Sequence, residues 1–279
     1  MQRVELYNLL SSTAEPIYGA REAEQIARMI LLEVAGVSTI HLILEPNIEC
    51  KIENLDTILE ELAAGRPVQY IIGQADFCSL RFVVREGVLI PRPETEELVF
   101  RIIEECEASP RILDVGCGSG AIAISLAKSI PGSQVWAVDI SKEALAISRE
   151  NNARLEAGVN IIEADALNGV ENTLDGKFDI IVSNPPYIPY SEQENMRDNV
   201  LNYEPHLALF VEDDNPLIFY RAIATSAQML LRSGALLYFE IHEDLWSDVV
   251  DMLKNMGYIG VTMIRDINEK PRIVCAEKE

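Results

Sequence analysis

Apolar positions recur along this chain at two different periods. From Met1 to about Gly65 the spacing is helical. Leu6, Leu9 and Leu10 share one face. Ala23, Ile26, Ala27, Ile30 and Leu31 make a second stripe that stops before Gly36, and Ile52, Leu55, Ile58, Leu59 and Leu62 make a third ahead of Gly65. The pattern predicts a small bundle of short helices whose stripes are core faces and carry no chemistry. Next, residues 80–84 and 88–90 flank Arg85-Glu86-Gly87, which predicts a β-hairpin. Pro91 and Pro93 close that segment, and Pro93 suits the first turn of a helix running to about Glu105.

From Arg111 the texture changes. Short apolar runs at Arg111–Val115, Gln134–Asp139, 159–163 and Phe178–Ser183 read as strands, with helical patterns between the first three. A fifth strand is expected at 235–241, followed by a helix at about 244–256. Strands alternating with helices imply a parallel sheet covered on both faces. Two further strands, 259–265 and 272–276, are separated by only 266–271. That link is too short for a parallel crossover, so these two should pair antiparallel. The expected organisation is a helical domain at 1–72, a hairpin linker at 73–92 and an α/β domain at 93–279.

Composition narrows the partners. The chain has 279 residues, 48% of them hydrophobic, enough for a substantial core. Lys and Arg number 23 against 45 Asp and Glu, for a formal net charge of -22. Such a surface repels phosphate backbones and favours a basic protein partner over nucleic acid. Cys50, Cys78, Cys106, Cys117 and Cys275 are odd in number, widely spaced and without a CxxC, as expected of free thiols in a reducing compartment. The start, Met1-Gln-Arg-Val-Glu, has no signal-peptide pattern, and no run is long enough to span a bilayer. A cytoplasmic protein is expected. No metal-ligand spacing and no nucleophile elbow occurs.

The first chemical motif follows the first α/β strand: Asp114-Val115-Gly116-Cys117-Gly118-Ser119-Gly120-Ala121. Glycines at 116, 118 and 120 permit a tight turn and close approach to a ligand, and the helix that follows presents free N–H groups. Asp139 ends the next strand, where a carboxylate can accept both hydroxyls of a ribose. An adenosine-containing ligand at the carboxyl edge of the sheet is predicted. A nicotinamide and S-adenosylmethionine both satisfy the loop. Three features favour the second: Asp114 stands where it can meet the loop backbone or a ligand ammonium group, the sheet ends in an antiparallel pair, and the loop after the fourth strand carries its own signature.

That signature is Asn184-Pro185-Pro186-Tyr187. Two prolines fix two φ angles and remove two N–H donors, which leaves a stiff loop rich in carbonyl acceptors. Asn184 adds a side-chain carbonyl, so two acceptors can hold both hydrogens of an NH2 group beside an electrophilic methyl. Tyr187 offers a flat face to a planar amide or base. A Pro-Pro pair can simply terminate a strand, but not usually at this place in a glycine-loop domain. His41, His206 and His242 read as structural or surface residues, and Glu212-Asp213-Asp214 as a solvated loop.

Asn-Pro-Pro-Tyr after the fourth strand resembles methyltransferases that act on planar NH2 groups. The HemK/PrmC family, release factor glutamine methyltransferases, is similar over far more of the chain. Its signatures are matched by Gly65-Arg66-Pro67-Val68-Gln69-Tyr70-Ile71-Ile72-Gly73, by Leu89-Ile90-Pro91-Arg92-Pro93-Glu94-Thr95-Glu96, and by Tyr203-Glu204-Pro205-His206-Leu207-Ala208-Leu209. The resemblance implies a class I S-adenosylmethionine-dependent methyltransferase, a Rossmann-like seven-stranded sheet with an antiparallel last strand, behind a helical substrate-docking domain. It implies methylation of the glutamine amide in the Gly-Gly-Gln motif of class I peptide-chain release factors, with S-adenosylhomocysteine as product, by a monomer. Asn184 and the Pro185 carbonyl would hold the amide, and Pro186 and Tyr187 would shape the slot. Asp114, Gly116, Cys117, Gly118, Ser119 and Gly120 would surround the methionine part, Asp139 the ribose, and Asp165 the adenine edge, with Thr95 and Asn184 bordering the cofactor. Members often carry a bulkier residue where this chain has Ala166, which leaves adenine packing there open. The alternatives are an amino methyltransferase acting on nucleic-acid bases, disfavoured by charge, and a nicotinamide-dependent oxidoreductase, which gives the Asn-Pro-Pro-Tyr loop no role.

Overall fold

The helical stripes close into a bundle. The structure is a computed structural model describing residues 1–174 and 176–279. Its first elements are α1 (Arg3–Tyr18), α2 (Ala20–Glu33), α3 (Thr39–Leu44), α4 (Leu55–Ala63) and α5 (Val68–Ile72). Helix α1 buries Leu6, Leu10 and Ala14, α2 buries Ala23, Ile26, Ala27, Ile30 and Leu31, and α4 buries Ile58 and Leu62, so the three stripes share one core. The Tyr18 hydroxyl lies 3.0 Å from the carbonyls of both Gly65 and Arg66, pinning the end of α1 to the turn after α4. One compact unit comprises Met1–Gln74 and a later return of the chain, Met196–Tyr203.

The second unit, Ala75–Asn195 with Glu204–Glu279, holds the sheet. It begins with the strands β1 (Gln74–Phe77) and β2 (Leu80–Val83), then α6 (Pro93–Glu105), β3 (Arg111–Val115), α7 (Ala121–Ser129), β4 (Gln134–Asp139), α8 (Lys142–Leu155), β5 (Asn160–Glu163) and β6 (Phe178–Ser183). After the short β7 (Ile188–Pro189) comes α9 (Asp198–Tyr203), which belongs to the first unit. The chain ends with β8 (Phe210–Val211), α10 (Ile218–Leu230), β9 (Leu231–Glu240), α11 (Trp246–Asn255), β10 (Tyr258–Arg265) and β11 (Pro271–Lys278).

Seven strands form one sheet in the order β10-β11-β9-β6-β3-β4-β5. Pairs β3·β4, β3·β6, β4·β5 and β6·β9 are parallel, and β11 is antiparallel to both neighbours. Apolar side chains from α10 and α11 cover one face, and those from α6 and α7 the other. Burial on both faces is why Phe-Asp-Ile-Ile-Val-Ser in β6 is nearly continuous in apolar character. Because β4 lies on one side of β3 and β6 on the other, the chain reverses direction across the sheet there. The carboxyl ends of β3, β4, β5 and β6 therefore converge on one edge, where ligands of such sheets bind.

The hairpin differs from expectation. It pairs β1 with β2 around Cys78 and Ser79, both left-handed with φ of 47° and 61°, the backbone that a two-residue hairpin turn requires. Arg85 to Val88 does turn, with the Val88 N–H 3.4 Å from the Arg85 carbonyl, but residues 88–90 form no strand. Pro91 has no N–H for a ladder, and the Ile90 N–H donates instead to Glu204 Oε2 at 3.1 Å. All five cysteines are free, and among the described residues no helix is long and apolar enough to cross a membrane.

Candidate functional site

The glycine loop leaves β3 and enters α7 through three left-handed residues, Gly116, Gly118 and Gly120 (φ 79°, 54° and 83°). At Gly120 a Cβ would lie 2.6 Å from Ser148 Oγ and 2.9 Å from Ile124 Cδ1, so both backbone and space demand glycine. The loop consumes its own donors. Gly116 and Cys117 N–H donate to the Val138 carbonyl at 2.9 and 3.0 Å, Gly118 N–H to Asp139 Oδ2 at 2.8 Å, and Gly120 N–H to the Cys117 carbonyl at 2.8 Å. A pyrophosphate needs such N–H groups pointing outward. The loop is therefore ill suited to a dinucleotide.

Asp114 sits beneath this loop, fully buried. Its Oδ2 accepts from the Ala123 N–H at 3.1 Å and so holds the first turn of α7, while Oδ1 is buried with no partner among the described residues. An unpaired carboxylate oxygen suits a cationic ligand group and opposes a phosphate. Burial pushes the Asp114 carboxyl up to about 7; the Ala123 N–H opposes this and nearby Asp139 adds to it. Because the folded value lies above the unfolded one of 3.8, this group's stabilising contribution is complete below that lower value and is lost as pH rises through about 7. Asp114→Asn, which cannot ionise, is thus expected to gain stability relative to the parent between about pH 4 and pH 8, by up to about 4 kcal/mol. Denaturant midpoints of the ligand-free proteins measure this, and a difference that does not vary with pH would contradict it.

Asp139 ends β4, partly buried, with Oδ1 accepting from the Ser141 N–H at 2.9 Å and Oδ2 from Gly118. Each oxygen retains a lone pair for a ligand hydroxyl. Burial raises its pKa against the pull of those N–H donors. Asp165 Oδ1 accepts from the Leu167 N–H at 2.8 Å and Oδ2 from Asn168 Nδ2 at 2.6 Å, which fixes the 3-10 turn carrying Ala166.

A cleft opens where these loops meet. Gly116, Gly118, Asp139, Asp165, Ala166, Asn184, Pro185 and Pro186 line it together. Thr95, Asp114, Cys117, Ser119, Gly120 and Tyr187 do not line it. Several lining residues escaped the sequence reading as site residues: Gly87, Val88 and Leu89, Ile140 and Ser141, Leu207 and Ala208, and Phe219 and Ile223. Leu89, Leu207 and Ala208 lie within the signatures quoted above, whereas Ile140, 48% exposed, follows directly on the strand-ending Asp139. Phe219 and Ile223 lie on α10 and look like ordinary core positions.

Two of the sequence signatures meet at this cleft. Glu204, nearly fully buried, accepts from the Ile90 N–H and pairs with Arg92. It thereby ties the wall at 87–89 to the wall at Pro205–Ala208. Opposite them, Asn184 Nδ2 donates to Thr95 Oγ1 at 3.3 Å, and the Tyr187 hydroxyl donates to Glu240 Oε1 at 3.1 Å. Burial, reinforced by Glu240, raises the Tyr187 pKa, so the phenol keeps its proton. The Tyr187 ring meets His242 edge-on at 6.0 Å, and His242 Nε2 lies 3.1 Å from Glu192 Oε2, which makes His242 a supporting residue.

A parallel sheet with one antiparallel strand, and a cleft formed by a self-satisfied glycine loop beside an acceptor-rich Asn-Pro-Pro loop, define a class I methyltransferase. Solved structures share the fold: one titled a methyltransferase from Pyrococcus furiosus aligns with a TM-score of 0.54 at 18% identity, covering 71% of this chain and 88% of its own. Residues 95–203 match the Methyltransferase small domain and residues 10–73 the PrmC N-terminal domain. A release factor glutamine methyltransferase of Bacteroides thetaiotaomicron is 43% identical over 100% of both chains, and one of Flavobacterium psychrophilum is 41% identical over 92% of this chain and 93% of its own. The chain belongs to the release factor glutamine methyltransferase family.

Proposed function

We propose that this chain moves a methyl group from S-adenosylmethionine to the side-chain amide nitrogen of the glutamine in the Gly-Gly-Gln motif of class I peptide-chain release factors. The observation that carries the reading is the Asn-Pro-Pro loop on the cleft wall: Asn184 has its amide nitrogen engaged by Thr95, which leaves Oδ1 as an acceptor, and neither proline has an N–H to compete. The Asn184 Oδ1 and the Pro185 carbonyl would accept the two hydrogens of the glutamine NH2, with Pro186 and Tyr187 shaping the slot.

The cleft suits the methyl donor. Gly116 and Gly118 would offer close backbone approach to the methionine part, with the buried, unpaired Asp114 oxygen behind the loop as a negative group for its ammonium; Asp139 would accept from the ribose, and Asp165 and Ala166 would border the adenine. When bound, S-adenosylmethionine supplies a methyl group on a sulfonium and leaves as S-adenosylhomocysteine. The chain's part is to orient and to stabilise. Two acceptors aim the nitrogen lone pair and offset the positive charge that grows on it. Tyr187 keeps its proton, with the hydroxyl hydrogen-bonded to Glu240 Oε1, so it is no base. The proton leaves to water after transfer. The helical unit would dock the factor, acting as a monomer in the cytoplasm, where translation ends. A net charge of -22 supports a basic protein partner over nucleic acid.

The test is transfer of isotopically labelled methyl from S-adenosylmethionine to a recombinant release factor, with ribosomal RNA offered in parallel. Label is expected in the factor alone. Label in the RNA, or none in the factor, would sink the reading.

A further inference from the structure

Glu240, the last residue of β9, is almost completely buried, yet it belongs to no motif and does not line the cleft. Its two oxygens are both engaged. Oε2 accepts from Thr95 Oγ1 at 2.6 Å and Oε1 from the Tyr187 hydroxyl at 3.1 Å. Burial raises its pKa, while the Thr95 hydrogen bond, the positive charge of Arg272 and the Tyr187 hydrogen bond favour the ionised form and Glu94 from α6 opposes it; Arg272 itself pairs with Asp266 at 3.1 Å. Thr95 itself is buried and touches Asn184, whose Nδ2 donates to Thr95 Oγ1 at 3.3 Å.

The direction of these bonds matters more than their number. With Glu240 ionised, its carboxylate only accepts. Thr95 must therefore send its single proton to Glu240, and its oxygen can meet Asn184 only as an acceptor. That forces the nitrogen of the Asn184 amide toward Thr95 and leaves the oxygen as the free edge. An asparagine turned the other way would present an NH2 group to the substrate NH2, donor against donor.

We propose that Glu240 is a positioning residue which, through Thr95, selects the orientation of the Asn184 amide in which Oδ1 accepts from the substrate nitrogen. This rests on the reading of Asn184 as the glutamine clamp. The same carboxylate holds Tyr187 from the other side, so one buried anion aligns both ends of the Asn-Pro-Pro-Tyr loop. Thr95 is correspondingly the link between them and is not itself a cofactor ligand.

The test uses the full-length enzyme with release factor as substrate, once the parent is shown to methylate it; an inactive parent would count against the function and not against this relay. Thr95→Val keeps the shape and removes the hydroxyl. It is expected to lower kcat about tenfold to a hundredfold, the range for a mispaired buried polar group, with KM for the factor and affinity for S-adenosylhomocysteine within about threefold. Thr95→Ser, which restores the hydroxyl, is expected to stay within about threefold of the parent. Glu240→Gln puts an NH2 group opposite one of the two hydroxyls and is expected to lower kcat about tenfold. The combined Thr95→Val, Glu240→Gln variant should lose much less than the product of the single losses, because both act on one amide. Losses that multiply, a Thr95→Val enzyme with unchanged kcat, or kcat and cofactor affinity falling together with the melting temperature would overturn the proposal.

Discussion

Replacing Asn184 by alanine is expected to lower the turnover number about a thousandfold, the loss typical of removing one preorganised polar group from a reacting centre. That corresponds to about 4 kcal/mol of transition-state stabilisation. An amide nitrogen is a poor nucleophile because its lone pair is shared with the carbonyl. Two acceptors on its hydrogens favour the geometry in which that pair points at the methyl group, and they stabilise the charge that develops there. Alanine removes one acceptor and leaves Thr95 Oγ1 without the Asn184 donor it meets at 3.3 Å. The rest of the cleft is untouched, since Gly116, Gly118, Asp139 and Asp165 come from other strands' ends. Affinity for S-adenosylmethionine should therefore change by less than about threefold, because the acceptor lost is directed at the glutamine amide and not at the donor. Titration calorimetry with the donor and single-turnover kinetics with the factor separate the two. An equal loss in both would make Asn184 mainly a cofactor ligand.

Replacing Asp139 by alanine is expected to have the opposite signature, a loss of at least about a hundredfold in affinity for S-adenosylmethionine. Hydrogen bonds to a charged group contribute about 1.5–3 kcal/mol each, and in the proposed reading Asp139 makes them to both ribose hydroxyls. It also accepts from Gly118 N–H at 2.8 Å and Ser141 N–H at 2.9 Å, so its removal frees the glycine loop from the end of β4. Saturating donor should restore a substantial part of kcat, because the Asn184-Pro185 loop after β6, the proposed clamp on the glutamine amide, remains. A donor affinity unchanged in Asp139→Ala would remove Asp139 from the cofactor site.

How much of this was legible in the sequence depends on the kind of signal. Strands β3, β4 and β6 and helix α6 fall where the periodicity put them, because strands buried on both faces are continuous apolar runs and a proline marks the first turn of α6. The antiparallel β10·β11 pair followed from the short link between them. The hairpin lies away from the position the pattern predicts because its turn residues, Cys78 and Ser79, carry none of the usual turn chemistry, whereas Gly87 marks a turn that leads into no ladder. The return of residues 196–203 to the helical unit left no local trace, since it rests on contacts far apart in the chain such as Arg197 with Glu22. The cleft-lining motifs were visible because a glycine loop, a strand-ending acid and Asn-Pro-Pro are local in sequence. The groups behind them were not. Glu204 lies inside the Tyr203 to Leu209 signature without its role being readable there, Glu240 lies in no motif, and only the fold brings them against Arg92, Thr95 and Tyr187.

The central claim is that a glutamine amide nitrogen receives the methyl group. Peptide mass spectrometry of the release factor after reaction tests it most directly, with fragmentation that assigns the added methyl to one residue. The account predicts a single methyl on the side-chain nitrogen of the Gly-Gly-Gln glutamine, and none when that glutamine is changed to alanine. A methyl on any other residue of the factor, or undiminished labelling of the altered factor, would contradict it.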